Sequence, residues 1–162
     1  MEKKLALLGP ARPRYQERVE EIRKRCGYCW SGWSYKIDIN KWEILKKQGS
    51  FHIYVHDIEN ATKGNLKGTG YVDYVLFTET KDCSYENRLR PSPNPECTPI
   101  FDIEKPHRLY AYITKEPKPK IPHKKYYEFI NYDTDKPVSK KFPFFGKTAR
   151  NAEFIYVIDE DI

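Results

Sequence analysis

Hydrophobic positions change their spacing along this chain, and the change divides it. Tyr15, Val19 and Ile22 recur at i, i+4 and i+7, which predicts an amphipathic helix over 15–25, opened by Pro13 and closed by Gly27. Trp42 and Leu45 share one face of a second helix over 40–48, with Asn40 as its N-cap and Gly49 as its stop. From residue 51 the period falls to two: Phe51, Ile53 and Val55 alternate with His52, Tyr54 and His56. A turn over 63–68 and a strand over 69–77 complete an expected hairpin. Leu109, Ala111 and Ile113 alternate with Tyr110 and Tyr112 in a further strand, and 153–158 reads as the closing one.

Two stretches carry no period. Residues 81–106 hold Pro91, Pro93, Pro95, Pro99 and Pro106, a loop of a length that compact domains keep for function. Residues 115–125 are basic and broken by Pro117, Pro119 and Pro122. No internal repeat is present. Short strands with two helices predict a single α+β domain over 1–162, built on a small curved β-barrel flanked by helices.

Composition narrows the function. The 162 residues are 15% aromatic, far from a disordered chain, and no apolar run approaches a membrane-spanning length. The apolar patch in 5–8 is too short for a signal peptide, so a cytoplasmic protein without membrane contact is expected. Net charge is +6, yet residues 105–150 alone carry 12 basic and 4 acidic side chains, or +8. Concentrated positive charge interleaved with aromatics is the footprint of a polyanion partner. Cys26 and Cys29 form a CxxC, but Cys83 and Cys97 stand 14 apart and complete no zinc site. Reduced, partly buried thiols are expected.

No nucleotide-binding glycine loop, HExxH or GxSxG occurs. Glu86, Glu96 and Asp102 lie in the long loop, but no motif makes metal ligands of them. The chain therefore reads as a binder rather than an enzyme, with no cofactor. What remains is Trp30, Trp33 and Tyr35, gathered in a short connection after the first helix. Flat rings hold bases taken out of a stack.

At this point the order of pieces resembles the YTH and EVE branches of the PUA-like superfamily. The stretch from Val19 to Ser31 resembles the helix and Trp-Ser step of YTH domains, and Phe51 to Val55 with Gly68 to Val72 resembles their first hairpin. Asn131 to Val138 is similar to the YTH stretch before the phosphate-binding turn, and Phe144 to Arg150 to an EVE segment. The likeness covers roughly 15–158 and lies in the common order of short pieces. It implies a reader that closes aromatic rings around a methylated base, typically adenine methylated on its exocyclic amine. Trp30 would be the first cage wall and Ser31 would orient the base through its backbone. Trp33, Tyr35 and Tyr54 complete the base-binding set. Lys140, Lys141, Lys147 and Arg150 would hold phosphate. YTH domains place a second tryptophan after the hairpin, whereas residues 78–107 contain none, leaving Trp33, Tyr85 or Phe101 as the second wall. The expected role is the specificity module of a modification-dependent restriction system, working with a fused NTPase motor and nuclease and reading methylated DNA. The alternative is a reader of methylated RNA or transfer RNA.

Overall fold

The computed structural model describes residues 3–11, 13–33, 39–57, 71–81, 88–125, 129–137 and 153–158. In chain order the elements are β1 (Lys3–Ala11), α1 (Pro13–Cys26), β2 (Cys29–Trp33), α2 (Ile39–Gln48), β3 (Ser50–Asp57) and β4 (Tyr71–Glu79). A 3₁₀ turn (Pro95–Cys97) follows, then α3 (Ile100–Glu104), β5 (Leu109–Ile113), β6 (Lys118–Lys125), β7 (Ile130–Asn131) and β8 (Glu153–Ile158). They form two compact units interleaved in sequence. The first takes Met1–Arg12, His52–Leu76 and Pro117–Ile162; the second takes Pro13–Phe51 and Phe77–Glu116.

In the first unit the strands run in the order β7-β8-β1-β3-β4, with β6 added to β4. β1 lies parallel to β3, with Leu7 opposite Ile53, and antiparallel to β8, with Leu5 opposite Tyr156. Its consecutive side chains are buried on both faces of the sheet, and such a strand reads as a continuous apolar run rather than an alternating one. Leu5, Ala6, Leu7 and Leu8 are all buried. Ile53, Val55, Val75 and Leu76 join them, and the Tyr54 ring packs 4.8 Å from that of Phe129. β6 forms despite Pro119 and Pro122 because, among the described strands, it pairs only with β4; an edge strand tolerates a missing N–H.

The second unit holds all the described helices. Val19 and Ile22 are the buried face of α1, and Gly27, at φ +86°, ends it with its N–H on the Arg23 carbonyl at 2.8 Å. Trp42 and Leu45 of α2 are fully buried, with Phe51 meeting the Trp42 ring edge-on at 5.9 Å. Asn40 lies inside α2 rather than capping it, since the helix begins at Ile39. β2 and β5 pair antiparallel, and Thr78 and Glu79 of β4 pair with the other side of β5.

The mixed α+β class agrees with the sequence reading; the barrel does not. Neither unit closes its described strands on themselves. In the first, β7 contributes two residues, too short a ladder to seal the sheet. The cysteines also differ from expectation: Cys26 and Cys97 are joined in a disulfide with Cα atoms 6.1 Å apart, and Cys29 is a buried free thiol. No described helix is long and apolar enough to cross a membrane.

Candidate functional site

The second unit concentrates the unusual chemistry, and β2 carries it. Cys29-Trp-Ser-Gly-Trp33 alternates its side chains across the strand, so Ser31 and Trp30 face opposite ways. On one side, Ser31 is fully buried and its Oγ lies 2.6 Å from the Tyr15 hydroxyl of α1. Tyr15 in turn donates to Asp102 Oδ2 of α3. Asp102 Oδ2 also accepts the Gly32 N–H at 3.1 Å, so one carboxyl ties α3 to both α1 and β2. Because the Tyr15 proton is committed to Asp102, Ser31 is the donor to Tyr15, and the three groups form a directed chain.

Burial sets the protonation of this group. Asp102, 1% exposed, has its carboxyl pushed up to about 7 by desolvation, against the bonds from Tyr15 and Gly32 that lower it. Burial, then the Asp102 charge, raises the Tyr15 phenol well above its ordinary value. Desolvation pushes the Cys29 thiol up to about 12, which makes it inert as a nucleophile. His107 Nε2 stands 3.6 Å from Asp102 Oδ1, and burial lowers its pKa, so the imidazole is neutral at pH 7. Its ring lies against Gly32: a Cβ there would come within 2.6 Å of Nδ1, so only glycine fits.

On the opposite side of β2, Trp30 is 9% exposed and sits across from Tyr112 of β5. Their ring centroids are 4.7 Å apart. Tyr28 stacks on Tyr112 at 4.9 Å and meets Trp30 edge-on at 6.2 Å, giving a cluster of three rings. Lys81 Nζ lies 5.0 Å over the Tyr112 ring, a cation–π contact. Tyr28 and Tyr112 are half-buried, so the cluster presents ring area that Trp30 backs.

The described part of the proline-rich loop is built rather than slack. Asn94 caps the 3₁₀ turn, accepting the Glu96 N–H, and its Nδ2 donates to the Tyr28 hydroxyl at 2.8 Å. Arg25 reaches the Glu96 carbonyl at 2.8 Å beside the Cys26–Cys97 link. Arg90 and His107 exchange backbone hydrogen bonds, and Tyr110 donates to the Arg90 carbonyl at 2.8 Å.

Of the expected base-binding residues, Trp30 and Ser31 thus share β2 but face opposite sides of it. The backbone of Trp33 ends β2, whereas Tyr35, Tyr85, Lys140, Lys141, Lys147 and Arg150 lie outside the described residues. Tyr54 belongs to the first unit and is fully buried there. Phe101 is 54% exposed on α3, its ring perpendicular to that of Tyr15 with centroids 6.4 Å apart. Tyr28, Tyr112, Asp102 and Tyr15 are the residues whose roles the sequence concealed. Tyr112 was legible as an alternating strand position, but nothing in the spacing paired it with Trp30. No protein-family model matches the chain, and no curated protein and no solved structure matches it.

Proposed function

We propose that this chain is a non-catalytic nucleic-acid-binding module that accepts a methylated base on the Tyr28–Trp30–Tyr112 ring cluster. The favoured ligand is adenine methylated on its exocyclic amine, in DNA. The base leaves its stack to reach the rings. The carrying observation is the cluster itself: three rings in mutual contact with a lysine over one of them. Stacking on such rings is worth about 1–3 kcal/mol per base. A methyl group adds about 0.8 kcal/mol when its carbon is buried. Phosphate contacts come from the basic segment, with Lys140, Lys141, Lys147 and Arg150 as their source. The finer fold reading that accompanies this function is a PUA-like domain of the YTH or EVE type, acting as the specificity part of a modification-dependent restriction system.

A binding panel tests the proposal. Duplex DNA, single-stranded DNA and RNA, each with and without the methylated adenine, are titrated at two salt concentrations. Preference for the methylated DNA probe, lost in Trp30→Ala while the weak salt-sensitive background remains, is the expected result. Equal binding of every modified probe and its unmodified twin removes the reader function. A preference confined to RNA transfers it to methylated RNA.

A further inference from the structure

We propose that Ile100, Phe101 and Ile103 of α3 form an apolar wedge that enters the base stack of a duplex beside the extruded base. The inference rests on the base-reading function above and adds the form of the substrate, a double strand.

The burial of α3 is inverted. Ile100, Phe101 and Ile103 are 69%, 54% and 39% exposed, whereas the charged Asp102 between them is 1% exposed. A helix folded only for its own burial would put its isoleucines inward and its aspartate in water. Here the carboxyl is the anchor, held by Tyr15 and the Gly32 N–H, and the apolar side chains are what it presents. The mount is firm. The Asp102 and Ile103 N–H groups bond back to the Pro99 carbonyl, and the Cys26–Cys97 disulfide pins the chain three residues before Ile100.

Position and charge select the occupant. The Asp102–Gly32 bond attaches α3 to β2 two residues after Trp30, so the strand that carries the ring cluster also carries the wedge. Outside the buried Asp102, Lys81, Arg88, Arg90, Lys105 and Arg108 outnumber Glu96 and Glu104 among the described residues of 81–108. Lys105 Nζ lies 5.2 Å over the Phe101 ring, next to the wedge tip. Apolar tips with a lysine over one of them, in a stretch of net positive charge, match a polyanion with a stacked apolar interior. Extruding a base leaves its neighbours without stacking partners, and an inserted apolar side chain restores that contact. A single strand has no such gap to fill.

The test compares the wild type with an Ile100→Ser/Phe101→Ser variant. Both positions are exposed, and circular dichroism checks that the variant is folded. Each protein is titrated with a methylated 20-mer duplex and with the same methylated strand alone, and 2-aminopurine beside the methylated adenine reports unstacking. The expected result is a loss of about tenfold or more on the duplex, with the single strand unchanged and the 2-aminopurine signal abolished. An equal loss on both forms, or no loss on the duplex, overturns the wedge. So does a wild-type dimer that the variant dissociates while duplex binding stays intact, because the patch then serves a second copy. The duplex-to-single-strand ratio scores the wedge whether or not the methyl group is preferred. The methylated-to-unmethylated ratio of the wild type scores base reading separately.

Discussion

The two units differ in what they bury. In the first, the buried side chains described are aliphatic or aromatic, from Leu5 to Phe129. In the second lie all six buried polar residues described: Ser31, Thr78, Ser92, Thr98, Asp102 and His107. It also holds the disulfide. An apolar core needs only shape to hold it, whereas a buried carboxyl demands partners and answers to pH. The described core of the first unit is held by packing; the second spends stability on groups that hold α1, β2 and α3 in fixed relation around the ring cluster.

The largest effect expected from this contrast is covalent. The Cys26–Cys97 link spans 71 positions, and the chain-entropy relation assigns a loop of that length about 4.4 kcal/mol. Cys97→Ser, or reduction of the wild type, is expected to lower stability to chemical denaturant by roughly that amount. Amide exchange is expected to rise in α1, β2 and β5 and to stay slow in β1 and β8. Uniform acceleration across all of them breaks the comparison.

Next comes pH. Asp102 titrates near 7 in the folded chain against an ordinary 3.8, so between those values the folded state binds the extra proton. Stability attributable to Asp102 is therefore full below about pH 4 and falls as pH rises toward 7, by up to about 4 kcal/mol. His107 runs the other way. Its lowered pKa makes the unfolded chain the better proton acceptor just below 6.5, adding a rise with pH there. Asp102→Asn is expected to abolish the fall and leave the rise, as read by denaturation midpoints across the range.

Leu7→Ala in the first unit serves as the counterpart. Leu7 is fully buried, and its truncation is expected to cost about 3 kcal/mol, equally on both sides of neutral pH. A pH-dependent cost would mean that the units do not separate chemically. Smallest is Gly32→Ala, where the new methyl meets the His107 ring. A cost of about 2 kcal/mol is expected, relieved by His107→Ala in a double-mutant cycle; additive costs would show that the ring is not the obstacle.

Much of the fold was legible where hydrophobic period was strong. α1, α2, β3, β4, β5 and β8 stand within a few residues of where the spacing puts them. β1 was hidden because a strand covered on both sides does not alternate, and β6 because its prolines are tolerated only at a sheet edge, which spacing does not reveal. The same limit governs the site. Trp30 stood out by its residue type, but its neighbours Tyr28 and Tyr112 come together through the β2–β5 register. Asp102 read as one loop acid among three, and the disulfide as free thiols. Partnerships across 70 or more positions leave no trace in local pattern.

The interleaving of the units bears on how the chain is made. Trp33 must wait for Leu109, 76 positions later, before β2 has its partner. Lys3 waits for Ile158, 155 positions later. Among the described strands the first is thus completed by the last, and its Leu-Ala-Leu-Leu run stays unpaired on that side until β8 has been made. Pairing of β1 with β8 is therefore a late step, slow in the manner of high contact order and exposed to aggregation until β8 emerges. A fragment cut after β5 carries the second unit's residues but leaves β1 without β8, so losing β8 costs far more than its six residues suggest.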